Sequence, residues 1–138
     1  MYEEFNLRYM IKKNYKDVTS KSATLTNGTP VENVSVRWLI DENDGAFNFA
    51  MRRFEIKPKG EVPLHNHIQD HEIFILSGEG KFYNDSGQEE FVISNDVVYI
   101  PPNEKHGIVN IGNSDLIFLC LIPYKKEREE KTKPIPNE

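Results

Sequence analysis

The chain has 138 residues, one cysteine and a formal charge of -5 from 17 basic and 22 acidic side chains. That length fits one domain with a core of its own; a single cysteine excludes an intrachain disulfide or thiolate metal cluster; and the acidic balance argues against a general nucleic-acid binder. The opening stretch, MYEEFNLRYMIKKNYK, lacks the apolar centre of a signal peptide, and no apolar run approaches the ~18 residues of a membrane span, so a cytoplasmic protein with no membrane partner is expected.

Residues 1–30 are polar and read as an N-terminal arm, with TNGTP at 26–30 a turn. Within the arm, residues 2–13 are the best candidate for a helix. VENVSVRWLI then alternates Val34, Val36, Trp38 and Ile40 against Ser35 and Arg37, the period of two that marks a strand. DENDG at 41–45 is a turn, and FNFAMRRFEI is rich in aromatics and fits a strand. After KPKG at 57–60, EVPLHNH and HEIFILSG read as two strands joined through Ile68, Gln69 and Asp70. EGKFYNDSGQEEFVI has the form of a hairpin turning near NDSG, and DVVYIPPNEKHGIVNIG gives two short strands around a Pro-Pro loop. DLIFLCLIP is a last, nearly all-apolar strand, and residues 124–138 form a charged tail.

Short strands punctuated by turns at this spacing predict an all-β sandwich or small barrel over residues 31–123. HEIFILSG and DLIFLCLIP are apolar on both faces. One face fills the barrel; the other needs a second sheet or a second subunit, so a homodimer is expected.

Three of the four histidines fall within seven positions, in LHNHIQDHE. Residues i and i+2 of a strand share a face, so His65 and His67 project together. Pro63 upstream and the Ile/Phe-rich run downstream oppose a helix here. A turn over Ile68–Asp70 instead returns the chain beside the first strand and brings His71 or Glu72 back to the pair. His106, after IPPNEK, is the fourth histidine. Neutral imidazole is a strong ligand for divalent first-row metals, and every histidine of the chain lies in one of these two segments.

These segments resemble the two motifs of the cupin superfamily. The first, GEVPLHNHIQDHEIFILSG from Gly60 to Gly78, is similar to the cupin pattern of Gly, His-x-His, Glu and Gly. The second, NDVVYIPPNEKHGIVN from Asn95 to Asn110, is similar to Gly, Pro-x-Gly, His and Asn. Three departures stand out. Gly60 sits one residue closer to His65 than is usual. Asn95 and Asn103 replace glycines, and Asn also tolerates a left-handed turn. Finally, counting six residues back from Gly78 reaches His71, whereas counting forward from His67 reaches Glu72. A shift of one residue flips every side chain of a strand: with His71 inside, Ile73 and Ile75 follow it; with Glu72 inside, Phe74 and Leu76 do. Gly78 begins the tight turn ending the strand and is the firmer anchor, so His71 is preferred and Glu72 is the alternative.

HEIFILSG, PNEKHG and FLCLIP also resemble a subgroup of small single-domain cupins whose metal is held by four histidines. The resemblance implies a cupin-type double-stranded β-helix, or jelly-roll barrel. It also implies one divalent metal per subunit on His65, His67, His71 and His106, with manganese the usual assignment and iron, zinc, nickel or copper also suited to imidazole. In that subgroup the positions of Cys120 and Phe118 lie near the metal pocket.

Four neutral imidazoles leave the metal's charge uncompensated, which suits a small anionic or chelating ligand. Each histidine needs an acceptor for its second ring N–H, and Asp70, Glu72 and Glu104 are nearby candidates. Arg37, Arg52 and Arg53 could meet an anion; strand parity sends one of Arg52 and Arg53 inward, and Arg52 is taken as the pocket residue. Phe47, Phe49 and Met51 alternate, and Phe49 and Met51 are candidates for a hydrophobic lining, although core packing is the commoner meaning of such a stripe. Family habit and the open metal positions point to a metal-dependent oxygenase or dioxygenase acting on a small organic molecule. The alternatives are a non-catalytic metal- or ligand-binding sensor and a metal-assisted isomerase using Glu72 or Tyr99 as acid/base.

Overall fold

A computed structural model describes residues 10–124. Ten strands alternate along them: β1 (Lys21–Thr24), β2 (Pro30–Ile40), β3 (Phe49–Ile56), β4 (Glu61–His65), β5 (His71–Ser77), β6 (Gly80–Asn84), β7 (Glu89–Val92), β8 (Val97–Ile100), β9 (His106–Asn110) and β10 (Leu116–Pro123). The six-stranded sheet has the order β1-β2-β3-β10-β5-β8, and the four-stranded sheet the order β4-β9-β6-β7. From β3 onward the chain passes back and forth between the sheets, and every pairing is antiparallel. This is the connectivity of a jelly-roll barrel, and the all-β expectation holds.

The core lies between the sheets. Ile56, Ile75, Leu116, Phe118 and Cys120 are its largest fully buried side chains, all from the six-stranded sheet. Phe82, Val92 and Ile108 close over them from the four-stranded sheet. Phe118 stacks on Phe54 with ring centres 5.2 Å apart and meets Phe82 edge-on at 6.1 Å. Burial of such a ring contributes about 1.5–3 kcal/mol.

The disputed register of β5 is visible in its burial: His71, Ile73 and Ile75 are buried, whereas Glu72, Phe74 and Leu76 are exposed. Gly78 explains why the turn fixes it. Its φ is +93°, and a Cβ there would lie 2.4 Å from the Asp115 carbonyl oxygen, so only glycine fits. Asn95 and Asn103 stand at φ 78° and 65°, the left-handed conformation that the family's glycines would otherwise take.

The stretch read as an arm contributes a 3-10 turn at Tyr15–Asp17 and strand β1. The candidate helix over 2–13 falls mostly outside the described residues, and residues 10–13 carry no helix. Lys13 reaches the Leu39 carbonyl and Asp44, and the Tyr15 carbonyl accepts from Arg37. The Tyr15 ring lies 3.8 Å from the Arg53 guanidinium, which also pairs with Glu55, so this segment covers the outer face of β2 and β3. Further along the same outer face, Phe74, Leu76, Val97 and Tyr99 are exposed. No helix among the described residues is long and apolar enough to cross a membrane. The tail from residue 125 lies outside the described residues.

Candidate metal centre

His65 ends β4 and His106 begins β9, and the two are directly paired across the strands. Their rings are 4.4 Å apart between centres. His67 follows in the loop, held there because the Asn103 N–H donates to the His67 carbonyl at 2.8 Å. Ligand nitrogens of His65, His67 and His106 lie within 4.8 Å of one another, close enough to share one metal ion. His71 begins β5 beside them, its ring centre 4.2 Å from that of His67 and 5.6 Å from that of His106.

The tautomers of three of these rings follow from their partners. Nδ1 of His65 lies 2.8 Å from the Pro63 carbonyl, Nδ1 of His67 is 3.0 Å from that of Gln69, and Nδ1 of His106 is 2.8 Å from that of Glu104. A carbonyl only accepts, so each Nδ1 carries the proton and each Nε2 offers a lone pair. His71 is different. Its Nδ1 faces the Cys120 Sγ at 3.0 Å and the Arg52 Nη2 at 3.2 Å, and its Nε2 lies 2.6 Å from Nε2 of His67.

Burial opposes protonation of His67, His71 and His106, and neighbouring side chains add to it. His67 is lowered to about 4 by desolvation, then by His106 and His65. His71 is lowered to about 2 by desolvation and then by Arg52. His106 is also lowered, chiefly by desolvation. Neutral imidazoles at neutral pH are the form that ligates a metal, so the donor set fits a divalent ion.

The histidines open into a cavity of about 310 Å³ between the sheets. Its wall includes Arg52, Phe118 and Cys120, with Phe54, Val62 and Ile73 among its apolar side chains. Phe49 and Met51 are not in it. On β3 the inward positions are those opposite Phe118 and Cys120, namely Phe54 and Arg52; Phe49 and Met51 have the opposite parity and face outward, with Phe49 exposed. Arg53 shares that outer face, under Tyr15.

Arg52 is therefore the cation of the cavity. Its guanidinium lies 5.2 Å from the Trp38 ring centre and 4.9 Å from that of Phe54. Its Nη2 also donates to the Cys120 Sγ at 3.0 Å, while its Nε is buried without a partner. None of the ion pairs among the described residues includes Arg52, and no carboxylate lines the cavity.

Carboxylates do not serve as the histidines' hydrogen-bond partners. Glu104 acts through its backbone carbonyl, while its side chain accepts from the Asn84 amide at 2.8 Å. Asp70 accepts from the Tyr99 hydroxyl at 3.0 Å, and both Tyr99 and Glu72 are exposed on the outer face of the sheet. The Pro63 and Gln69 carbonyls could not be read from the sequence, because a backbone group carries no residue-type signal. Trp38 and Phe54 are legible in the sequence only as strand residues; Trp38 reaches Arg52 through cross-strand register, and Phe54 shares the Arg52 face two positions on along β3.

A jelly-roll barrel with a histidine group placed to hold a metal ion defines a class of protein. Within that class the chain belongs to the cupin family: the Cupin domain matches residues 52–122, from Arg52 through the last core strand. The oxalate-binding protein of Thermotoga maritima is 41% identical over 71 residues, which are 51% of this chain and 58% of that protein. The chain thus spans little more than half the length of this curated relative. Among solved structures, the polyketide cyclase RemF of Streptomyces resistomycificus superposes with a TM-score of 0.74 at 27% identity, over 93% of this chain and 95% of that one. A protein described as a predicted oxalate decarboxylase, also from Thermotoga maritima, gives 0.70 at 26% identity, over 83% of this chain and all of that one.

Proposed function

We propose that this cupin holds one divalent metal ion on His65, His67, His71 and His106 and binds there a small anionic, chelating organic molecule, which it oxidises with dioxygen. The observation that carries the ligand class is Arg52. It is a cation facing a cavity without a carboxylate, and its Nε lacks a partner. A bound carboxylate would supply one, and charge-assisted bonds of this kind are the stronger ones. The metal, when bound, supplies Lewis acidity and, if manganese or iron, a redox couple. The chain's own residues do the rest. Three backbone carbonyls orient the imidazoles, Arg52 aligns the anion, and Phe54, Val62, Ile73 and Phe118 exclude water. The oxalate-binding relative supports a small dicarboxylate as the ligand class.

A second reading, ligand binding without turnover, is favoured by one feature: apart from the histidines, the cavity wall has no carboxylate, lysine or tyrosine able to move a proton. The same feature weighs against an isomerase, since Glu72 and Tyr99 are exposed on the far side of β5 and β8. Oxygen uptake by manganese- or iron-loaded protein with oxalate and other small dicarboxylates and diketones decides between them. Uptake that needs both metal and organic acid is the expected result. Tight binding without uptake across the panel would leave the sensor reading.

The expected homodimer is part of this proposal, formed through the outer face of the six-stranded sheet. The exposed Phe74, Leu76, Val97 and Tyr99 support it.

A further inference from the structure

We propose that Cys120 is a positioning residue of the metal centre: its Sγ accepts the Nδ1 proton of His71 and so frees the His71 Nε2 lone pair for the metal. The inference rests on the four-histidine reading above and concerns why His71, alone of the four, has no carbonyl beside its Nδ1. The two groups against that nitrogen are the Cys120 Sγ at 3.0 Å and the Arg52 Nη2 at 3.2 Å. A guanidinium only donates, so the sulfur is the group of the two that can accept.

A neutral imidazole has two tautomers, and the surroundings of His71 suit one of them without metal and the other with it. With the proton on Nε2, His71 donates to the His67 Nε2 lone pair 2.6 Å away, while its Nδ1 accepts from Arg52. His67 is held as that acceptor because its own Nδ1–H is committed to the Gln69 carbonyl at 3.0 Å. In this tautomer His71 cannot ligate. With the proton on Nδ1, Sγ accepts from His71 and from the Arg52 Nη2, each at 3.0 Å, and the lone pairs of His67 and His71 face one another. That second arrangement is repulsive unless a cation lies between them. The change moves one proton between the two nitrogens of a single ring; Cys120 stays a thiol, and no proton leaves the site.

Strand register sets Cys120 on the inward face that His71 and Arg52 share. Cys120 is paired with Arg52 on one side and Ile73 on the other, on the inward parity of β10. It is 2% exposed, so its sulfur is shielded from bulk solvent.

The test is titration of full-length apo-protein with Co(II), following both affinity and the visible d–d spectrum. Wild type is compared with Cys120→Val, which fills the position with an apolar side chain and loses the acceptor, and Cys120→Ser, which restores one. Loss of a partner of this kind costs about ten- to a hundredfold in metal affinity. The expected result is that loss in Cys120→Val, with a changed spectrum, and recovery of most of it in Cys120→Ser. In a His71→Ala background Cys120→Val should have no further effect, which a merely structural role would not produce; if Cys120→Val fails to fold, Cys120→Ala, which also lacks an acceptor, makes the same comparison in both backgrounds. Wild-type affinity and spectrum in Cys120→Val, or additive losses in the double variant, would overturn the inference while leaving the metal site intact. Failure of wild type itself to bind Co(II) would instead overturn the four-histidine reading.

Discussion

His67 and His71 approach one another to 2.6 Å between their Nε2 atoms, although three residues and a turn separate them in the chain. The contact follows from the register of β5. His71 is the first inward residue of that strand, and Glu72, one position on, faces solvent. In the proposed four-histidine site this relationship would put an imidazole where the usual cupin motif has a carboxylate.

Removing either partner of that pair should therefore weaken metal binding, and removing the neighbouring acid should not. His65→Ala, His67→Ala and His106→Ala are expected to lower manganese affinity by at least about a hundredfold, more than the loss of an outer partner. His71→Ala should follow them, whereas Glu72→Ala should retain the wild-type metal content. Metal analysis of protein purified without chelators is the measurement. Metal lost in Glu72→Ala but kept in His71→Ala would reverse the assignment.

Much of this site was legible in the sequence, for a physical reason. Period-two alternation fixes which residues share a face, so the pairing of His65 with His67 could be read directly, whereas His71 is preferred over Glu72 only through the count back from Gly78. Gly78 carried the register because its φ of +93° and its contact with Asp115 admit no side chain. Parity also held the answer that the aromatic stripe obscured. Met51 and Arg52 are adjacent on one continuous strand and cannot both face the cavity, yet both parities of β3 carry apolar residues. Hydrophobicity alone could not choose; the pairing of Arg52 with Cys120 does. The carbonyls of Pro63, Gln69 and Glu104 were out of reach because they belong to the backbone.

Arg52 should separate ligand binding from metal binding. Arg52→Gln removes the charge but keeps a polar side chain near the Trp38 and Phe54 rings. A hydrogen bond to a charged group is worth about 1.5–3 kcal/mol, or about ten- to a hundredfold in affinity. Calorimetry of manganese-loaded protein with oxalate is expected to show that loss, with metal content unchanged. Equal oxalate affinity in the variant would remove Arg52 from the ligand site.

Gly78 offers a test of the register itself. Gly78→Ala places a methyl group against the Asp115 backbone and forces an L-residue into the left-handed region. Strain of about 1–2 kcal/mol from the backbone and about 1–3 kcal/mol from overpacking is expected. Urea denaturation should report a lower midpoint with an unchanged slope. Gly28→Ala is the useful comparison: its φ is +88°, but nothing lies within 4 Å of the added carbon, so it should cost less.

The outer face of the six-stranded sheet gives a separate prediction about assembly. Phe74 and Leu76 on β5 and Val97 and Tyr99 on β8 present exposed apolar side chains. If two copies meet there, Phe74→Glu with Val97→Glu buries charge in an apolar contact and should yield a monomer by sedimentation velocity. Metal content should be unchanged, since the histidines lie on the opposite side of β5. A monomeric wild type would end the dimer proposal.

Acid should act on the metal-free protein through the same cluster. An unfolded histidine titrates near 6.5, whereas His67 is lowered to about 4 and His71 to about 2 by burial and neighbouring positive charge. Between those values the unfolded chain binds protons that the folded chain does not, so stability rises with pH through this window. The contribution is complete above about 6.5 and is lost progressively as pH falls toward 4 and then 2. Urea midpoints of apo-protein measured from pH 7.5 to 4.5 should decline on the acid side. In a His67→Gln, His71→Gln double variant the decline should be shallower, because the two groups whose protonation is resisted are gone. A metal-loaded sample should hold its stability to lower pH than the apo-protein, until protons displace the ion from the imidazoles. An equally steep acid decline in the double variant would place the responsible groups elsewhere.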